Sequence, residues 1–308
     1  EAKNETEAKL VELWQEVLGA SQVGTHDNFF NLGGQSLKAT ALMASINEAF
    51  DIGIPLSHIF QFPTISQLAP VIAAFKELGS QTNETLALLG QPNRKPVFCF
   101  PPITGYGIVF KAIADALTDY SVYAFDFVNS DELLQLYIDQ MLMVQKHGPY
   151  TLLGYSAGGN IAFELAKLME EQGHQVEQVI LLDSLRREAV QQQATEEIER
   201  DAEALLDEVA WRYGSYLNHS SFRSLVTQRI VDYSHYLNGL VNDGRIQAAV
   251  RYVSSEEYDF AETWLGSSVH EVEVYQGSGK HVELLQPGFI DWNTQVIRGI
   301  LDGVMIAL

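Results

Sequence analysis

Apolar positions recur at spacings of three and four near the start of the chain, and gather into short unbroken runs after residue 96. The first pattern predicts helices and the second predicts buried strands. Leu10, Leu13, Trp14, Val17 and Leu18 share one face of an expected helix over 5–19, with Gly19 placed to end it. A polar loop containing Gly24, His26, Asp27 and Asn28 leads to Phe29-Phe30, and Asn31-Leu32-Gly33-Gly34-Gln35-Ser36-Leu37 opens a second helix running to about Phe50. Gly53 and Pro55 break that helix, a short segment spans Leu56 to Phe62, and Ile65, Leu68, Ala69, Ile72 and Phe75 mark another helix. Residues 1–77 thus predict a small four-helix unit. The polar stretch 78–95 reads as a linker, in which Leu86, Leu88 and Leu89 have the character to dock onto a neighbour.

From residue 96 to 308 the grammar is α/β. Val97–Phe100, Ser121–Phe125, Tyr150–Leu153, Val179–Leu182 and Val269–Tyr275 read as strands, and the first four alternate with helical patterns near 105–117, 131–146 and 157–172. That alternation predicts a mostly parallel sheet covered on both faces. Between about 185 and 260 it stops; the segment is helical in pattern and reads as an insertion over one end of the sheet. Within it Leu205, Leu206, Val209, Leu217, Phe222, Leu225, Val226, Ile230, Tyr233, Leu237 and Leu240 give broad apolar faces, with Tyr213, Tyr216 and Tyr236 beside them. Glu196, Glu197, Glu199, Asp201 and Glu203 read as a solvated helix face.

Charge narrows the functional classes. Lys and Arg number 19 against 40 Asp and Glu, a formal net charge of −21. Such a surface repels phosphate backbones and anionic lipid, which argues against nucleic-acid and membrane partners. A single cysteine, Cys99, sits between Phe98 and Phe100 in a predicted strand and is expected to be a buried thiol. One cysteine makes neither an internal disulfide nor a cysteine-rich metal site, in keeping with a reducing cytosol. No apolar run is long enough to span a bilayer, and the opening Glu-Ala-Lys-Asn-Glu is not a signal sequence, so the chain reads as a piece of a longer cytosolic protein.

The strongest local chemistry is Gly154-Tyr155-Ser156-Ala157-Gly158, between a strand-like and a helix-like segment. A sharp strand–serine–helix turn needs small flanking residues, and it presents the hydroxyl beside helix N–H groups that stabilise an oxyanion. Such a serine needs a base and an acid to orient it, arranged along the chain as serine, acid, histidine. Of the five downstream histidines, His174, His219, His235, His270 and His281, the last lies in Gly277-Ser278-Gly279-Lys280-His281, a loop after the final strand. That position suits the base. Asp183, at the end of Val179-Ile180-Leu181-Leu182, is preferred as the acid, with Asp259 or a neighbouring glutamate as its rival. Oxyanion donors are expected from the N–H groups of Ile103, in the Pro101-Pro102-Ile103-Thr104-Gly105 loop, and of Ala157. No metal is called for.

The run Asp27 to Leu37 closely resembles the attachment motif of peptidyl carrier proteins. The resemblance implies a phosphopantetheine arm carried covalently on Ser36, loaded by a phosphopantetheinyl transferase; Gln35 departs from the Asp or His usual before that serine. The remainder resembles the C-terminal thioesterase domain of non-ribosomal peptide synthetases. The match rests on Phe100 to Gly107, Ala124-Phe125-Asp126-Phe127, Gly148-Pro149, the Ser156 motif, Leu181-Leu182-Asp183-Ser184 and Gly279-Lys280-His281. It implies an α/β-hydrolase fold with a helical lid, a triad of Ser156, His281 and Asp183, upstream condensation and adenylation domains as partners, and a cytoplasmic place in peptide antibiotic synthesis. The expected function is release of a peptidyl thioester, with macrocyclisation favoured. Hydrolysis to a linear acid, a polyketide release domain, and a non-catalytic carrier or docking module are the alternatives.

Overall fold

The computed structural model describes residues 2–34, 36–54, 56, 58–78, 85–213 and 220–304, with the backbone alone at 36–37, 61, 77–78, 209–213 and 220–222. Two compact units emerge, one formed by Glu1–Thr85 with Glu199–Gln228 and the other by Leu86–Ile198 with Arg229–Leu308.

The first unit contains α1 (Glu5–Leu18), α2 (Ser36–Phe50), α3 (His58–Gln61) and α4 (Ile65–Leu78). Asn4 caps α1 by accepting the Glu7 N–H at 2.8 Å, and Gly19 ends it in the left-handed region at φ 68°. Leu10, Trp14, Phe29, Ile46, Ile59, Leu68 and Ile72 are buried, with Trp14 edge-on to Phe29. This is the face that the spacing of three and four requires.

The second unit is built on a seven-stranded sheet in the order β1-β3-β2-β4-β5-β6-β7. Its strands are β1 (Leu86–Leu88), β2 (Lys95–Phe100), β3 (Tyr120–Phe125), β4 (Tyr150–Tyr155), β5 (Val176–Leu182), β6 (Ala249–Ser254) and β7 (Glu273–Gln276). All neighbours pair in parallel except β1, which runs antiparallel to β3. α5 (Lys111–Ala116), α6 (Leu133–Val144), α7 (Ala157–Glu171) and α10 (Ile290–Asp302) accompany the sheet. β4 is buried along its whole length, as expected of a central strand covered on both faces.

Two strands depart from the expectation. β1 lies in the stretch read as a linker; its backbone completes the sheet edge, which a three-residue segment is too short to announce by alternation. β6 lies in the stretch read as helical; Val250, Tyr252 and Val253 are buried between β5 and β7. The inserted helices are therefore confined to α8 (Thr195–Tyr213) and α9 (Ser220–Asn238).

The acidic start of α8 is not wholly solvated. Glu203 accepts from Arg223 Nε at 2.6 Å and from Thr227 Oγ1 at 2.7 Å, and the latter bond, then Arg223, holds its carboxyl below the usual range. Leu206, Val226, Ile230, Tyr233 and Leu237 are buried, whereas Leu225 is exposed. Tyr216, Leu217 and His219 lie outside the described residues, as do the side chains of Val209, Tyr213 and Phe222. Among the described residues no helix is long and apolar enough to cross a membrane, and no cluster of His, Cys, Asp and Glu has the makings of a metal site.

Candidate active site

Ser156 stands at the turn from β4 into α7 with φ 54° and ψ −120°. L-residues avoid this region, and surrounding contacts must hold it. The Ser156 N–H donates to the Leu182 carbonyl at 2.8 Å, and the Gly159 N–H to the Ser156 carbonyl at 3.0 Å. Flanking glycines make room: a Cβ at Gly154 would lie 2.3 Å from the Gly158 carbonyl oxygen, and one at Gly158 would lie 2.1 Å from that of Phe100. The sharp turn and its motif have one cause, the close approach of three backbone segments.

His281 begins a 3₁₀ turn, His281–Glu283, after β7. Its Nε2 is 3.0 Å from Ser156 Oγ and its Nδ1 is 2.7 Å from Asp183 Oδ2. The Tyr155 hydroxyl donates to the His281 carbonyl, and the rings of Tyr155 and Tyr258 pack against the imidazole. Asp183, 1% exposed, follows β5 at φ 45°. Its Oδ1 accepts from Tyr252 Oη at 3.1 Å and from the Ser255 N–H at 3.4 Å. With Nδ1–H directed at the carboxylate, Nε2 is left as the acceptor for the serine proton, the tautomer a general base requires.

The rival acid is elsewhere. Asp259 is exposed, and its Oδ1 accepts the Ala261 N–H at 3.1 Å at the head of a 3₁₀ turn. His174 packs on Tyr150, His235 lies 3.3 Å from Thr195 Oγ1, and His270 is exposed. Burial pushes the Cys99 thiol far above its ordinary range, so it offers no thiolate.

A cavity of about 310 Å³ adjoins the three residues and is also lined by Ile103 and Ala157. Ala157 is the first residue of α7, and no side chain caps that helix end. The Ile103 loop is braced by α9: Tyr233 Oη donates to the Pro101 carbonyl at 3.1 Å, and Arg229 Nη1 to those of Gly105 and Phe127, each at 3.3 Å. The Arg229 guanidinium covers the Tyr106 ring and stands 3.9 Å from Asp126, which accepts the Gly107 N–H at 2.8 Å. Burial raises the Asp126 pKa, with Arg229 and that N–H opposing the shift. A serine hydroxyl, an imidazole hydrogen-bonded to it and a buried carboxylate beside one cavity suit base-assisted acyl transfer.

Asn160, Leu185, Arg187, Leu237, Tyr258 and Phe260 complete the cavity wall. Of these, sequence reasoning singled out Leu237 as a lid residue. Tyr252 was also missed, and a period-two reading of Ala249–Ser254 was the signal that would have placed it at a strand's end.

In the first unit, Ser36 is the first residue of α2 and follows Gly33 at φ 86°. A Cβ at Gly34 would lie 2.3 Å from the Phe29 ring, so glycine lets this turn close on the core. The first turn of α2 carries no acidic side chain, and a helix N-terminus favours an anion, which fits a phosphodiester at that position. Gln35 and the Ser36 side chain lie outside the described residues.

Comparison with known proteins agrees with both halves. Residues 95–302 match the thioesterase domain family, and residues 8–72 match the phosphopantetheine attachment site family. The chain is 34% identical over 305 residues to surfactin synthase subunit 3 of Bacillus subtilis, covering 97% of this chain and 24% of that protein. It is 34% identical over 323 residues to tyrocidine synthase 3 of Brevibacillus parabrevis, covering 99% of this chain and 5% of that protein. The chain thus spans a quarter or less of these two relatives. Among solved structures, the thioesterase domain SrfTE, described as cyclizing the lipopeptide antibiotic surfactin, matches with TM-score 0.65 and 30% identity over 73% of this chain and 98% of that one. A four-domain nonribosomal peptide synthetase matches in fold with TM-score 0.61 and 21% identity, over 99% of this chain and 26% of that one.

Proposed function

Because this chain belongs to the thioesterase family over residues 95–302 and carries a phosphopantetheine-attachment domain over 8–72, we propose that it is the releasing end of a nonribosomal peptide synthetase. It is a serine thioesterase of the α/β-hydrolase fold. In the proposed assignment residues 1–77 are the carrier and the stretch that follows joins it to the releasing domain, whose sheet begins with β1 at Leu86 rather than at residue 96. Condensation and adenylation domains stand upstream, a phosphopantetheinyl transferase modifies Ser36, and the compartment is the cytoplasm.

Phosphopantetheine, when attached, supplies a thiol that bears the acyl chain as a thioester. Ser36 would hold it, at the head of α2. Ser156 Oγ attacks the thioester carbonyl carbon as His281 Nε2 takes the hydroxyl proton. The N–H groups of Ile103 and Ala157 stabilise the oxyanion, and Asp183 holds the imidazolium in place. With the arm attached, the C–S bond would break and His281 would return the proton to the departing thiol. In the second half an amine or hydroxyl of the peptide gives a proton to His281 and attacks the Ser156 ester. The ester C–O bond breaks, Oγ recovers the proton, and a ring leaves. Water in place of the internal nucleophile gives the linear acid.

The observation that carries this reading is the hydrogen-bonded series Ser156–His281–Asp183 beside a cavity, in a chain that also bears a carrier motif. Ring closure over hydrolysis is favoured by the likeness to SrfTE. The test is to load a peptidyl phosphopantetheine on the apo chain with a transferase and weigh the products. Wild type is expected to release a ring one water lighter than the acid, Ser156→Ala to retain the loaded peptide, and Ser36→Ala to gain no mass while still cleaving small free thioesters. Only linear acid from a peptide with its own internal nucleophile would overturn cyclisation; loading of Ser36→Ala would overturn the attachment site.

A further inference from the structure

The loop that carries Ile103 runs from the end of β2 at Phe100 to a 3₁₀ turn at Gly107–Phe110. Pro101 and Pro102 have no N–H to donate. The Gly105 N–H closes a turn onto the Pro102 carbonyl at 2.8 Å, and the Gly105 carbonyl accepts the Phe127 N–H at 2.8 Å. Two side chains of α9 add further ties. Tyr233 Oη donates to the Pro101 carbonyl at 3.1 Å, and Arg229 Nη1 donates to the carbonyls of Gly105 and Phe127, each at 3.3 Å. Their spacing of four puts Arg229 and Tyr233 on one face of the helix, and both belong to the same compact unit as the loop. The loop is thus held two residues before Ile103 and two residues after it.

Arg229 is not used as a surface ion pair. Arg223, Arg251 and Arg298 each meet a carboxylate oxygen at 3.3 Å or less, whereas Arg229 stands 3.9 Å from Asp126 and turns its donors to main-chain oxygens. The Tyr106 ring lies against the guanidinium, its centroid 4.2 Å away. The loop makes room for the side chain: Gly105 has φ 77°, and a Cβ there would lie 2.7 Å from Arg229 Cδ and 2.9 Å from Cγ. Phe127, whose carbonyl Arg229 also holds, is stacked on Tyr233 with ring centroids 4.1 Å apart. The near end of the loop abuts the nucleophile's turn. A Cβ at Gly158 would lie 2.7 Å from the Pro101 carbonyl oxygen, the atom that accepts from Tyr233.

We propose that Arg229 is a positioning residue of the releasing reaction: with Tyr233 it clamps the loop at Pro101 and Gly105, and so fixes the Ile103 N–H against the oxygen of the carbonyl that Ser156 attacks. This rests on the acyl-transfer reading of Ser156, with Ile103 as an oxyanion donor. Neither Arg229 nor Tyr233 is among the residues lining the cavity, so both act through the loop. An oxyanion donor works by placement, because a hydrogen bond weakens steeply with misalignment and the charge it meets develops only in the transition state. Loosening the clamp therefore slows the chemical step and leaves substrate binding in place. Nη1 of a guanidinium carries two N–H groups in a fixed plane, one for each carbonyl, which a freely rotating ammonium does not reproduce.

The experiment uses the full chain and a matched pair of substrates, a peptidyl thioester and the dithioester in which sulfur replaces the carbonyl oxygen. Sulfur accepts hydrogen bonds weakly, so the oxygen-over-sulfur ratio of kcat/KM reads the oxyanion donors. Arg229→Met keeps an aliphatic stem beside Gly105. It is expected to lower kcat on the thioester by about 10–100-fold, part of the loss of a whole oxyanion donor, with KM within about threefold and a reduced ratio. Arg229→Lys should recover part of both. Tyr233→Phe keeps the ring against Phe127 and should lower kcat by about 3–10-fold, again with a reduced ratio. A folded Arg229→Met with wild-type kcat and ratio overturns the proposal. A loss of kcat that leaves the ratio untouched also overturns it, since the side chain would then only pack. Should Arg229→Met not fold, Arg229→Lys decides: a ratio below that of wild type supports the clamp, and an unchanged ratio overturns it. A wild type that neither labels at Ser156 with a fluorophosphonate nor turns over the thioester would instead overturn the acyl-transfer reading.

Discussion

Tyr252 Oη donates to Asp183 Oδ1 across 3.1 Å, from a strand position paired with Leu181 in the register of β5 and β6. The phenol also accepts the Phe260 N–H at 3.1 Å, and burial above all raises its pKa far beyond working pH, so it is a permanent donor. It occupies one carboxylate oxygen and leaves Oδ2 to His281. Tyr252→Phe is expected to lower kcat by about 3–10-fold with KM little changed, since part of a charge-assisted hydrogen bond is lost. An unchanged rate would show that the phenol merely packs.

The choice of acid has a direct test. Asp183→Asn removes the charge that steadies the imidazolium and should lower kcat on a small thioester by about 10³–10⁴-fold. Asp259→Asn, altering an exposed turn cap, should stay within about twofold. The reverse order of effects would transfer the role to Asp259.

The serine turn depends on missing side chains. In Gly158→Ala the new Cβ would meet the Phe100 carbonyl at 2.1 Å, and backbone cannot yield as a flexible side chain does. Overpacking of this kind costs about 1–3 kcal/mol or more and should abolish fluorophosphonate labelling. Gly173→Ala is the control: at φ 84° with nothing within 4 Å, it should cost about 1 kcal/mol in thermal or denaturant unfolding and leave labelling intact. Equal labelling of both variants would contradict the steric account.

Asp126 offers a pH signature. Its folded pKa is raised by burial, so the protonated form is the one folding favours. That contribution is complete below the unfolded aspartate pKa of about 3.9 and is lost as pH rises through the folded value. Asp126→Asn keeps an oxygen for the Gly107 N–H without the charge. The melting temperature of the variant relative to wild type should therefore increase from acid to neutral pH. A difference that falls instead would show that Arg229 outweighs the burial.

Much of the chemistry was legible in the sequence because its signals are local. Gly154 to Gly158 records a turn whose steric demands come largely from its own neighbours, and Asp27 to Leu37 does the same before α2. Asp183 ends an apolar run, so its place at the edge of the sheet followed from the run. Other decisions belonged to tertiary structure. His281 meets Asp183 across 98 positions of sequence, and the exclusion of Asp259 required knowing where its turn lies. β1 was too short to show a period, and β6 was hidden behind two helices whose pattern seemed to continue. The environments of Arg187, Asn160 and Tyr252 were invisible for the same reason. Periodicity reports which face of an element is buried; which faces then meet, and whether a buried polar group finds a partner, depends on contacts between segments far apart in the chain.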